Sequence, residues 1–250
     1  MPSPENRTLC IFGDSHLGSV RRALDAGLID LDGFDVEFWG VTGPLFRTQL
    51  HMLDGVLTPT GPDAAAMVEQ VNGNGRATLS ADDFDVILFY AARLRIWHFQ
   101  FEYLHRQHRV GQRISQAVLR AAAQGFLLDR RMARAAREFG RQGKAQILFA
   151  PTPYPTRGIG DYYAHKQLLA RFPDAIATTE TARADMWQIF VDAFAQDGVT
   201  LLHQPGHTVV DGLFTDTAYA TEGAAENVDI SHKSPEFAAL MLQEFMAAVK

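Results

Sequence analysis

The chain predicts a three-layer α/β/α fold built on a five-stranded parallel sheet, and three features of the sequence carry that expectation. Five short apolar runs, at 8–12, 35–39, 85–90, 145–150 and 199–203, are continuous in hydrophobic character, as strands covered on both faces are. Segments of helical periodicity separate these runs, which gives crossovers long enough for the strands to return in parallel. Gly, Pro or Asp bounds each run and marks where the chain turns.

Taken in order, the first run ends in Gly13-Asp14-Ser15-His16, and Leu17, Val20 and Leu24 then recur at helical spacing. Helices are expected at 16–27, 105–123, 126–141, 181–196 and 235–248. The last has the clearest start, with Ser234 as N-cap and Pro235 at the first helical position. Phe237, Leu240, Met241, Phe245 and Ala248 form its apolar face. The segment 45–83 is longer than a minimal crossover. Alternation in Met67-Val68-Glu69-Gln70-Val71 ahead of Asn72-Gly73-Asn74-Gly75 predicts a β-hairpin insertion turning at those glycines. No Lys-Ser/Thr pair follows the glycines, so the turn does not read as a phosphate cradle. At 250 residues the expectation is one domain over 1–250 with this insertion.

Composition narrows the function classes. The hydrophobic share of 47% suffices for a full core. A formal net charge of −6 argues against non-specific nucleic-acid binding, which needs Lys and Arg to neutralise phosphates. Arginines do cluster between Arg93 and Arg141, and this cluster reads as the solvated faces of helices. The single cysteine, Cys10, leaves no intramolecular disulfide and sits inside the first apolar run, where it reads as core and not as a nucleophile. The N-terminal residues lack a signal-peptide pattern and no apolar run approaches a membrane span, so a cytoplasmic location is expected, with neither membrane nor nucleic acid as partner.

Ser15 lies on a strand-to-helix turn, where free N–H groups and the helix dipole favour negative charge. Attack by a serine on an ester creates such a charge on the carbonyl oxygen. The serine needs a base, and the base an anion to fix its tautomer. Eighteen residues before the C-terminus, Asp229-Ile230-Ser231-His232 offers both, because Asp and His three apart can meet within one turn. The two motifs, one at each end of the chain, resemble the SGNH (GDSL) hydrolase family.

That resemblance implies a flavodoxin-like order of elements, with Ser15 as nucleophile, His232 as base and Asp229 orienting His232. It also implies an oxyanion hole made by the N–H groups of Ser15 and of a glycine after the second strand, Gly43 or alternatively Gly40. The family's third donor, an asparagine after the third strand, is missing, and alignment of strand ends puts Arg93 in its place. A guanidinium can donate to an oxyanion and adds charge. The implied substrates are small acyl esters, an O-acetylated carbohydrate first, processed without metal or organic cofactor. A non-catalytic binding protein that kept the fold is the competing reading, favoured by the missing asparagine.

Other residues offer alternatives to this reading. Tyr154, Tyr162 and Tyr163 are candidates to line a sugar- or acyl-binding surface. His105 and His108 are three apart on an expected helix, with His98 nearby, but Arg106 and Arg109 flank them and no carboxylate lies between His105 and His108. His203 and His207 are rival bases with no acid three residues before either.

Overall fold

The computed structural model describes residues 6–109, 114–159 and 165–249. The elements run β1 (Arg7–Gly13), α1 (Leu17–Asp25), β2 (Phe34–Gly40), α2 (Leu45–Thr48), β3 (Leu50–Leu53), β4 (Val56–Pro59), α3 (Pro62–Asn72), β5 (Val86–Tyr90), α4 (Ile96–His108), α5 (Gln116–Leu128) and α6 (Arg131–Gln142). They continue with β6 (Gln146–Ala150), α7 (His165–Arg171), α8 (Glu180–Ala195), β7 (Val199–Leu201), β8 (Val209–Val210), β9 (Phe214–Thr215) and α9 (Pro235–Ala248). A five-stranded sheet in the order β2-β1-β5-β6-β7 is parallel throughout.

Alternation along each strand divides the core in two. Cys10, Phe12, Ile87, Phe89, Ile147 and Phe149 belong to the core covered by α3, α4, α5, α6 and α8. Leu9, Ile11, Val86, Leu88, Tyr90 and Leu148 belong to the core covered by α1 and α9. Because both faces are covered, polar residues are scarce in the central strands, which is why these runs were continuous rather than alternating. No described helix is long and apolar enough to cross a membrane.

The expected hairpin lies elsewhere than at Asn72–Gly75. It is β3–β4, antiparallel, with Leu53 opposite Val56, so that Asp54 and Gly55 form a two-residue loop. Both have positive φ, 48° and 79°, as a type I′ turn requires. Residues 62–72 are instead the helix α3. Pro62 starts it, Ala64, Val68 and Asn72 are buried at a spacing of four, and Gly73 ends it in the left-handed conformation. Met67, Val68 and Val71 fit this helical spacing and do not alternate as a strand would, so the turn signal at Asn72–Gly75 marks a helix end and not a hairpin.

The expected helix 105–123 is two helices. The first, α4, already starts at Ile96, and α5 restarts behind Ser115, whose hydroxyl accepts from the Val118 N–H. The next begins at Arg131 rather than at 126, since residues 126–128 complete α5.

The register aligns the C-terminal ends of the strands. Gly13 pairs with Gly40 and Tyr90, and Tyr90 with Ala150, so the loops that follow these four residues gather along one edge of the sheet. Open α/β sheets bind ligands at that edge. Glycine is required at the β1–β2 end, because a Cβ on Gly40 would stand 2.0 Å from the Gly13 carbonyl oxygen.

Candidate active site

Asp14, Ser15 and His16 form the turn between β1 and α1, closed by the Leu17 N–H donating to the Asp14 carbonyl at 3.0 Å. Asp14 is buried and accepts from the His16 N–H, while Ser15 is exposed. The turn between β9 and α9 brings the second motif to the same place. Ser15 Oγ lies 2.7 Å from His232 Nε2, across 217 residues of sequence. His232 Nδ1 lies 2.7 Å from Asp229 Oδ2.

The other carboxylate oxygen, Asp229 Oδ1, accepts from the N–H groups of Ser231 and His232, each at 3.0 Å. Burial pulls the Asp229 carboxyl upward, but these N–H groups and the His232 ring outweigh it and hold the pKa below the usual value. A carboxylate so placed makes Nδ1 of His232 the protonated nitrogen and leaves Nε2 free to accept from the Ser15 hydroxyl.

Two neighbours support His232. The His16 ring packs 4.7 Å from it, centroid to centroid. Burial, then His232 and Lys233, hold His16 well below its ordinary pKa, so it is a neutral wall. Lys233 is 1% exposed, and its Nζ donates to Thr156 Oγ1, the Ile230 carbonyl and the Ser231 carbonyl at 2.9, 2.9 and 3.1 Å. This side chain pins the Asp229–His232 turn from beneath to the loop after β6. No feature of the sequence marked it, since an isolated lysine beside a motif gives no sign of burial.

Burial pushes Lys233 down to about 7, with Asp229 opposing the shift. Its value in the unfolded chain is about 10.4, so above about pH 7 the unfolded state binds more protons and stability rises with pH. Wild-type protein is therefore expected to gain stability between about pH 7 and 8.5, by at most ~1.4 kcal/mol per pH unit, and Lys233→Met to lose that slope. Urea titrations at the two pH values check this. The window avoids His16, whose depressed value places its contribution below about 6.5, and Cys10, whose raised value places its contribution above about 8.5.

Gly43 lies in the loop after β2 with a φ of 58°. Among the described residues, none accepts a hydrogen bond from the N–H of Ser15 or of Gly43. Arg93, in the loop after β5, bridges the two loops. Its Nε stands 2.8 Å from Asp14 Oδ2, an ion pair too bent for a good hydrogen bond, and Nη2 donates to the Gly43 carbonyl at 3.1 Å. The guanidinium also lies over the Phe46 ring. Ala91 and Arg93 have φ of 49° and 56°, left-handed values that cost energy for non-glycine residues and persist only where the surroundings impose them. Gly40, the alternative to Gly43, is the last residue of β2 and is packed against Gly13.

Tyr154 does not line a surface. It is buried, its N–H donates to Gln204 Oε1 at 3.0 Å, and burial raises its phenol to about 12. The rigid Pro-rich loop turns this residue inward. Tyr162 and Tyr163 lie outside the described residues. His105 Nδ1 accepts from the Asp174 N–H, and among the described residues no cluster of three or more His, Cys, Asp or Glu has the arrangement of a metal site. His203 is held by Gln204 and the Trp187 ring, and His207 packs against Tyr219.

Among solved structures, the fold is similar to the lipopolysaccharide acetyltransferase periplasmic domain of Salmonella ser. Paratyphi A, with 11% identity and a TM-score of 0.44 over 97% of this chain and 83% of that one. No curated protein sequence matches. Residues 2–247 match the family described as the SGNH domain (fused to AT3 domains). With that match over nearly all of its length and a parallel five-stranded sheet carrying the Ser15 and His232 turns on one edge, the chain belongs to the SGNH family.

Proposed function

We propose that the protein is a serine-dependent ester hydrolase or acyltransferase acting on small acyl esters. The observation that carries this reading is the continuous contact from Ser15 Oγ through the His232 ring to Asp229, 2.7 Å at each step. Ser15 Oγ attacks the acyl carbon while His232 Nε2 takes its proton. The tetrahedral oxyanion collapses, the ester C–O bond breaks, and Nε2 returns the proton to the departing alcohol. Water or a second alcohol then gives its proton to Nε2 and takes the acyl group, and Nε2 returns that proton to the departing Ser15 Oγ.

The free N–H groups of Ser15 and Gly43 would receive the oxyanion. Arg93, standing for the family's asparagine, fixes the Gly43 peptide through its carbonyl and adds positive charge beside it. An O-acetylated carbohydrate is the first substrate to try, by family resemblance. The test is labelling with a fluorophosphonate, which forms a bond only to an activated serine. Wild type is expected to take one label that Ser15→Ala does not. An unlabelled wild type would instead favour the binding-protein reading.

A further inference from the structure

Five arginines converge on one cleft, three of them, Arg95, Arg130 and Arg131, from the cluster that reads in the sequence as solvated helix faces. A cavity of about 320 Å³ is lined by Arg47, Arg93, Arg95, Arg130 and Arg131, with Asp129 the one acid among its described lining residues. A second cavity of about 1010 Å³ shares Arg95, His98 and Arg130 with the first and extends to Ile230 and Ser231. The joined cleft thus runs from Arg93, beside Asp14 and Gly43, to the turn that carries His232.

These arginines differ from their neighbours in chain and space. Arg137 pairs with Asp197, Arg141 with Asp197 and Glu138, and Arg106 with Glu102. Arg47, Arg95, Arg130 and Arg131 have no carboxylate within ion-pair distance among the described residues. Arg47, Arg95 and Arg130 are exposed, so in a chain of net charge −6 they form a local positive field open to an anion from solvent. Desolvation first, then Arg93 and to a lesser degree Arg47, hold Arg95 below its ordinary value, with Asp14 opposing. Burial, Arg95 and Arg130 also hold His98 down to about 4, so it is neutral, and it stacks on Trp97 with centroids 4.1 Å apart. A flat neutral pair beside guanidiniums suits a ring that carries an anionic group.

The geometry points to this cleft as the subsite for the alcohol part of the ester, or for the acyl acceptor, and to a ligand that carries a phosphate or carboxylate group. The inference rests on Ser15 as the nucleophile, which puts the acyl group beside the cleft, between Arg93 and the turn that carries His232. Arg95 and Arg130, common to both cavities, are the residues that select for charge.

Calorimetric titration of the intact protein with glucose, glucose 6-phosphate and glucuronate tests it. The charged sugars are expected to bind at least about tenfold more tightly than glucose, and their order separates phosphate from carboxylate as the natural group. Arg95→Ala and Arg130→Ala should each weaken the better ligand about tenfold, and raised salt should weaken it further. Arg120→Ala, exposed on α5 away from the cleft, should not. In the wild type the better ligand should also slow fluorophosphonate labelling of Ser15. Equal affinity for glucose and both charged sugars, or unchanged affinity in both cleft variants, overturns the proposal. Labelled protein without charge preference removes the subsite and keeps the nucleophile. Charge-selective binding in a protein that takes no label keeps the anion site and removes the nucleophile.

Discussion

Asp229→Asn is expected to lower kcat for a short acyl ester by about 10⁴-fold while leaving the fold intact, the scale of loss when a triad base is held in the wrong tautomer. The local hydrogen bonds dictate this outcome. Asp229 Oδ1 accepts from two backbone N–H groups, of Ser231 and of His232. An asparagine must keep its carbonyl oxygen there, because turning the amide over would set its NH₂ against two donors. The NH₂ then faces His232 Nδ1, where the carboxylate oxygen Oδ2 now accepts. Nδ1 becomes the acceptor, the ring proton moves to Nε2, and Nε2 can no longer take the proton of Ser15. The turn keeps both of its N–H bonds, so the thermal midpoint should shift by only a few degrees. Initial rates and a melting curve on the purified variant check both halves. Unchanged kcat would remove Asp229 from the mechanism, whereas a collapsed melting transition would make it structural.

What the sequence disclosed depended on how local the responsible contacts are. The central strands were legible because burial on both faces makes five consecutive residues apolar, as in Val86–Tyr90. Asp229 and His232 were legible because their contact closes within one turn. Ser15 and His232 meet across the whole chain, and only the family's order of elements suggested that they would. The segment ending at Asn72 was misread because the Asn-Gly turn signal after it points to a hairpin, although Met67, Val68 and Val71 stand at helical spacing and the deciding contacts of Ala64 and Val68 lie in the core. Lys233 was invisible because its burial depends on Thr156, 77 residues away. The arginine cleft was missed for a related reason. Arg47 comes from α2, Arg95 from the loop after β5 and Arg131 from α6, and no single helical face displays them together.

Arg93→Ala is expected to destabilise the protein by about 3 kcal/mol at neutral pH, on the scale of a buried carboxylate that loses its partner. Asp14 is 4% exposed, and Arg93 is its ion-pair partner. Burial raises the Asp14 carboxyl above its ordinary value, and Arg93 is the largest influence opposing that rise. A carboxyl whose folded value is raised binds more protons in the folded than in the unfolded state. Its ionisation therefore costs stability as pH climbs from about 4 through the folded value. Removing Arg93 raises that value further and enlarges the cost, so the deficit of the variant should be larger at about pH 7.5 than at about pH 4.5. Urea titrations of both proteins at the two pH values measure this, and a deficit independent of pH would refute the ion-pair account. Arg93→Lys should recover part of the stability, because an ammonium can still neutralise Asp14. It should not recover turnover to the same extent, because it lacks the second nitrogen that holds the Gly43 carbonyl while Nε pairs with Asp14. A loss of kcat of about a hundredfold in Arg93→Ala, repaired less by lysine than the stability is, would identify the Gly43 peptide as the part of the site that Arg93 serves.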